Sequence, residues 1–396
     1  MEKLIEKFYR KIASVDTSFV RSKMKEINWN TKLIGIKGQR GVGKTTFLLQ
    51  YIKLHFSENL KNVLYVSLDD LWFTENKLVD LADTFVKHGG KILFLDEVHK
   101  YPLWSQSIKN LYDDYPELKI VFTGSSMLEI LNSRSDLSRR AIVYQLDGLS
   151  FREYIHYVSG IEFRVHSLQE IVENHTFLSA ETVQKIKPLE YFQEYLKYGY
   201  YPYFKEEQSL FLIRLQEVVN FILEIEIPQL KEVSIHFLPK IKQLLFAISE
   251  SVPFMPNISK LSERVGVSRE TLLNYIQYLN DAQLINILYK DTKGITRLQK
   301  PDKIFMQNTN LSYSFGNVDR GSLRETFFVN QIRNTHQISY SDIGDFKVND
   351  TWIFEIGGKN KTKKQIREVE QSFVVADDIE FGVGNKIPLW LFGFMY

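Results

Sequence analysis

Gly38-Gln39-Arg40-Gly41-Val42-Gly43-Lys44-Thr45-Thr46 decides the fold, because it reads GxxxxGK[ST] between a strand-like and a helix-like segment. Apolar Leu33-Ile34-Gly35-Ile36 leads into it, and Phe47-Leu48-Leu49-Gln50-Tyr51-Ile52 leads away. The glycines let successive backbone N–H groups close around phosphate oxygens, with the positive end of the helix dipole aimed at the same charge. In such a cradle Lys44 reaches the outer phosphates of a nucleotide, and Thr45 offers its hydroxyl to Mg²⁺.

A second stretch agrees with the first. Lys91-Ile92-Leu93-Phe94-Leu95-Asp96-Glu97 is an apolar run ending in two carboxylates. Its continuous apolar character suits a central strand of a parallel sheet, covered on both faces. Ligands of open α/β sheets bind beyond the carboxyl ends of the strands, where these acids fall. Asp96 is placed to hold Mg²⁺ through water, and Glu97 to orient and polarise an attacking water.

The remaining composition narrows the class. At 396 residues the chain exceeds one typical core, so two or three domains are expected. With 44% hydrophobic and 25% charged residues it reads as an ordinary globular protein. A net charge of +2 leaves any basic surface local rather than global. The absence of cysteine excludes disulfides, thiolate nucleophiles and Cys-ligated zinc, and fits a reducing compartment. The eight histidines show no ligand spacing. No run approaches the roughly 18 apolar residues of a membrane span. The first residues, Met1-Glu2-Lys3-Leu4-Ile5-Glu6-Lys7-Phe8, alternate as an amphipathic helix and lack the apolar core of a signal peptide. A cytoplasmic location is the resulting expectation.

From about residue 30 to 148, strand-like runs alternate with helix-like ones, as in a parallel α/β sheet. The strands are expected at 33–37, 63–68, 92–96, 119–123 and 142–146. The segment 151–245 reads as a helical lid or linker. Within 246–300, Ile258 to Val265, a glycine turn at Gly266 and a helix capped by Ser268 form a helix-turn-helix, and Leu284 to Tyr289 resembles the first strand of a wing. Leu272, Leu273, Ile276 and Leu279 are expected inside, with Arg269, Glu270, Asn274 and Gln277 outside. That outer set is mixed in charge, so DNA reading and protein docking both stay open. Residues 301–396 read as a further small α/β unit, closed by an aromatic strand from Pro388 to Met395.

Together these segments resemble the bacterial and archaeal AAA-type ATPases in which a P-loop module precedes a winged helix and a nuclease-like C-terminal domain. The resemblance rests on Arg40-Gly41-Val42-Gly43-Lys44-Thr45-Thr46, Leu95-Asp96-Glu97-Val98-His99-Lys100-Tyr101-Pro102-Leu103-Trp104 and Phe122-Thr123-Gly124-Ser125-Ser126. Leu137-Ser138-Arg139-Arg140, Leu149-Ser150-Phe151-Arg152-Glu153-Tyr154 and the closing stretch from Asn385 to Gly393 add to it. It implies an ATP- and Mg²⁺-dependent ATPase domain over 1–150 with a five-stranded sheet. Thr123 or Ser125 would be the polar sensor of the γ-phosphate. Arg140, with Arg139 and Arg134, stands where such families carry a transition-state arginine. A surface salt bridge is the plainer role for any of the three, and a neighbouring subunit of an oligomer is another source of such an arginine.

The C-terminal segment resembles the restriction-endonuclease-like PD-(D/E)XK fold. On that resemblance Glu325 is the helix acid, and Asp345 and Glu355 are the strand acids of a Mg²⁺ site. The position two after Glu355 is Gly357 where the family has lysine. Either Lys359 swings back from its glycine turn, or the site is vestigial and the domain only binds. Lys359, Lys361, Lys363, Lys364 and Arg367 form the densest basic run, suited to a phosphate backbone or to a solvated helix face. ATP is the expected ligand, with DNA or another protein as the alternative macromolecular partners.

Overall fold

Five short apolar runs pair in parallel to make the first sheet, in the order β2-β3-β4-β1-β5. They are β1 (Leu33–Lys37), β2 (Val63–Ser67), β3 (Ile92–Asp96), β4 (Lys119–Gly124) and β5 (Ile142–Gln145). Each falls within a residue of the expected span. β4 lies between β1 and β3, so its carboxyl end is delivered between the phosphate loop and the acidic pair. The computed structural model describes every residue except 125–136, 138, 232–234, 251–252, 291–299 and 317. It divides into two units, Met1–Gly148 and Leu149–Tyr396.

Helices α3 (Lys44–Phe56), α4 (Leu78–Lys87) and α5 (Trp104–Asp114) carry the crossovers between parallel strands. α1 (Glu2–Ser14) buries Leu4, Phe8 and Ile12, a single stripe at four-residue spacing. The segment after α1 is tied to α3, because Gln50 Nε2 donates to the carbonyls of Asp16 (2.8 Å) and Phe19 (2.7 Å). Arg21 is 7% exposed, and its guanidinium donates to the carbonyl of Val42 (3.2 Å). The same guanidinium donates to the carbonyls of Asp147 (2.9 Å) and Gly148 (2.8 Å). It thereby braces the loop before α3 against the end of the unit.

Residues 151–245, expected as a helical lid or linker, are helical, and their first helices share the core of the second unit. Helix Phe151–Ser159, opened by a Ser150/Glu153 capping box, and helix Pro188–Tyr198 pack into the same core as helix Arg320–Arg333 and the end of the chain. Phe151 meets Phe394 edge-on at 5.9 Å between centroids, and Phe192 meets Phe327 at 4.7 Å. Ser150 Oγ and Arg152 Nε both donate to the carbonyl of Tyr396, at 2.6 and 3.0 Å. These residues lie far apart in sequence but fill one interior, which local periodicity does not reveal.

The closing aromatic stretch is also different from expectation. Lys386–Pro388 is a short strand, β12, and Leu389–Phe394 then winds as a 3₁₀ helix with every side chain buried. Gly393 is forced there: a Cβ would sit 2.4 Å from Cβ of Phe151 and 3.1 Å from Cζ of Phe327. Gly393→Ala should therefore overpack this core, lowering stability by about 1–3 kcal/mol. A denaturant midpoint equal to that of the parent would contradict it.

Helices Ile258–Val265 and Arg269–Asp281 meet at Gly266, whose φ of 69° is the left-handed turn that glycine permits. Leu272, Ile276 and Leu279 face inward as expected, Leu273 is only half-buried, and Tyr275 joins the buried set. Strands β6 (Ile285–Leu288) and β7 (Lys303–Met306) pair antiparallel after them. The last sheet has the order β12-β11-β10-β9-β8, with β8 (Ile338–Tyr340), β9 (Phe346–Val348), β10 (Trp352–Gly357) and β11 (Ser372–Ala376). β10 runs antiparallel to β9 and parallel to β11, so it is the central, covered strand.

Candidate active site

The loop from Gly38 to Gly43 joins β1 to α3 and is shaped by its glycines. Gly41 (φ 88°) and Gly43 (φ 93°) take left-handed conformations. Gly38 lies so close to β5 that a Cβ would stand 2.2 Å from the Leu146 carbonyl oxygen. Val42 is fully buried and anchors the loop, while Thr46 is exposed on the first turn of α3. Lys44 is 5% exposed, and its Nζ donates to the carbonyls of Gly38 and Gln39 at 3.0 Å each. The ammonium is thus folded over the loop that its own helix begins.

Thr45 and the acidic pair meet, although 51 residues separate Thr45 from Asp96. Thr45 Oγ1 donates to Asp96 Oδ2 at 2.6 Å. Tyr65 Oη on β2 donates to the same oxygen at 2.8 Å, and Thr123 Oγ1 donates to Oδ1. Asp96 is 1% exposed, so its charge is held by three hydroxyls rather than by water. The buried Tyr65 hydroxyl is driven well above the usual phenol range, first by burial and then by the charge of Asp96. Glu97 follows in a left-handed conformation (φ 53°), its amide N–H donating to Thr123 Oγ1 at 3.1 Å. Thr123 therefore holds the Asp96 carboxylate and the Glu97 backbone at once.

One expected residue is placed otherwise, and two fall outside the described residues. Ser125 lies outside the described residues, as does Arg134. Arg140 precedes β5 and stands at the amino end of the sheet, opposite the end that carries the phosphate loop. There its Nε and Nη2 make a two-pronged pair with Asp113, at 3.0 Å each. The salt-bridge role, not the transition-state role, is what its own subunit gives it. Of the alternatives open for it, the surface salt bridge is the one seen here, since β5 must be crossed before the chain returns to the phosphate-loop end of the sheet.

In the second unit, Glu325, Asp345 and Glu355 are brought into one electrostatic neighbourhood. Burial, ahead of the Asp345 and Glu355 charges, lifts the Glu325 carboxyl from 4.5 to about 7, although Lys303 pulls the other way. Because the folded value is the higher one, ionising Glu325 costs stability as pH climbs from about 4.5 to about 7. Glu355, 2% exposed, is likewise pushed up, chiefly by burial. Asp345 Oδ2 accepts from the Ile356 amide at 2.7 Å. Among the described residues, no three His, Asp or Glu side chains stand in a metal-holding arrangement.

The lysine that pairs with Glu355 is Lys361, not Lys359. Lys361 Nζ pairs directly with Glu355 Oε1. Gly357 makes the path: a Cβ there would meet Cβ, Cγ and Cδ of Lys361 at 2.7, 2.7 and 2.8 Å. The residue missing from the expected position is therefore what lets a later lysine stem lie back across β10. Lys359 contributes its carbonyl, which accepts from Lys386 Nζ at 3.0 Å.

Comparison with known proteins fits the first unit. Residues 30–155 match the family model described as an AAA domain, so the chain carries an AAA-type P-loop ATPase domain. Residues 189–320 match a domain of unknown function, DUF8612. The chain is 27% identical over 322 residues to the uncharacterized protein MJ1637 of Methanocaldococcus jannaschii, covering 76% of this chain and 66% of that one. It is 26% identical over 357 residues to MJ1544 of the same organism, covering 85% of this chain and 74% of that one. It thus spans about two thirds of the length of MJ1637. Similar solved structures include the Walker-type ATPase PABY2304 of Pyrococcus abyssi, with TM-score 0.42, 13% identity and coverage of 74% and 93% of the two chains. AMPPCP-bound DnaA from Aquifex aeolicus scores 0.24 at 14% identity, covering 70% of this chain and 86% of that one. No described helix is long and apolar enough to cross a membrane.

Proposed function

We propose that the first unit binds ATP with Mg²⁺ and hydrolyses it, and that the bound state of the nucleotide governs the second unit. The observation behind this reading is the meeting of Lys44, Thr45, Asp96, Glu97 and Thr123 from the ends of β1, β3 and β4. The Thr45 hydroxyl and Asp96 carboxylate, 2.6 Å apart, are hard oxygen donors of the kind that suit Mg²⁺. The ion would supply charge neutralisation at the phosphate oxygens. Lys44 leaves its two carbonyls for the outer phosphates. Glu97 orients a water toward the γ-phosphorus and accepts its proton. Phosphate release from ATP by the full chain, lost on chelation, checks this. Failure to bind an ATP analogue at any Mg²⁺ level would overturn it.

A second reading concerns the other unit and is favoured by the Glu325, Asp345, Glu355 and Lys361 cluster. We infer a phosphodiesterase site in a restriction-endonuclease-like domain, in which Asp345 and Glu355, two carboxylates rather than a preformed trio, would hold Mg²⁺, with the winged helix-turn-helix of residues 246–300 placing DNA. Lys361 takes the part of the lysine that stabilises charge on the attacked phosphate. The outward Arg269, Glu270, Asn274 and Gln277 form a set mixed in charge, of which all four are exposed, so most phosphate contact falls to the basic run from Lys359 to Arg367. DNA cleavage by the parent with Mg²⁺ or Mn²⁺, lost in Asp345→Ala, is the expected result. DNA left intact under every metal and nucleotide would instead favour a nucleotide-gated docking platform for another protein.

A further inference from the structure

Glu97 is held at its backbone in a conformation that costs a non-glycine residue about 1–2 kcal/mol. The Thr123 hydroxyl fixes its amide, but neither constraint sets the direction of the carboxylate. His99 lies two residues on, in the single 3₁₀ turn Val98–Lys100, with its ring only 3% exposed. Its Nε2 lies 3.5 Å from Glu97 Oε2. The ring is neutral at any working pH: burial, then the charges of Lys100, Lys44 and Arg40, pull it from 6.5 down to about 3. A neutral imidazole still offers one N–H donor. Beside a general base this matters, because a cation in the same place would drain the carboxylate of its basicity.

We propose that His99 is the positioning residue of Glu97, its Nε2–H holding Oε2 so that Oε1 faces the attacking water. This rests on the ATPase reading of the first unit. The contact is looser than a formed hydrogen bond, as catalytic contacts often are before the reactants arrive, and it tightens when the cradle fills. With Oε2 held, rotation of the carboxylate about its last bond is restricted. A displacement of about 1 Å at such a group costs on the order of 10²-fold in rate.

The test compares steady-state ATP hydrolysis by the full chain carrying His99→Gln or His99→Met. Gln restores a donor at similar reach, whereas Met fills the buried space without one. His99→Met should lower kcat by roughly ten- to a hundredfold with KM for ATP little changed, and His99→Gln should recover most of it. His99→Met added to Glu97→Gln should cost nothing further, since the group it positions is gone. Parent-like turnover by His99→Met, or His99→Gln as slow as His99→Met, would overturn the assignment. A Glu97→Gln protein as fast as the parent would overturn the ATPase reading itself, whatever the His99 variants do.

Discussion

Glu97→Gln should bind ATP as tightly as the parent and release phosphate about 10²–10⁴-fold more slowly. The amide matches the carboxylate in size, so the left-handed backbone and the Thr123 contact are kept. What is lost is the ability to take a proton from water, which matters only as the reaction proceeds. The loss should therefore fall on kcat, with KM unchanged or reduced. Paired measurements of nucleotide affinity and phosphate release decide this. Parent-like turnover would remove Glu97 from the chemistry.

Lys44→Ala should act at the earlier step. Its ammonium is buried and rests on the Gly38 and Gln39 carbonyls, which are poor substitutes for phosphate oxygens. Truncating one partner of a buried charge pair costs about 2–5 kcal/mol, or roughly thirty- to several-thousand-fold in affinity. Folding should suffer far less, by about 1 kcal/mol, because only hydrogen bonds to carbonyls are given up. Calorimetric titration with ATP and thermal melts of the free protein separate the two effects. Affinity within threefold of the parent would contradict the role given to Lys44.

The first sheet was legible because each of its signals is local. A glycine loop must be written in consecutive residues, and a strand covered on both faces must be continuously apolar, so Leu33–Lys37 and Ile92–Asp96 stand out. Thr45 and Asp96 came from those two motifs, and Thr123, as one of two candidates, from the resemblance to AAA-type ATPases. Tyr65 did not: its alternation on β2 looks like packing, and only the fold shows its hydroxyl on Asp96. For Arg140 the sequence left two roles open, and the pair with Asp113 is the one seen within its own subunit. The second unit was harder still, since Phe151 and Phe394 form one interior across most of its length. Lys361 escaped because the spacing rule points to position 357, and the rule contains no term for a side chain that doubles back over a glycine.

Arg21 has a bearing on how the first unit could report its contents. One guanidinium grips both the carbonyl of Val42, inside the phosphate loop, and the last two peptides before Leu149. Drawing the loop inward around an anion tugs on the same planar fork that fastens the exit of the first unit. The phosphate loop and the last peptides of the first unit thus share a single anchoring side chain.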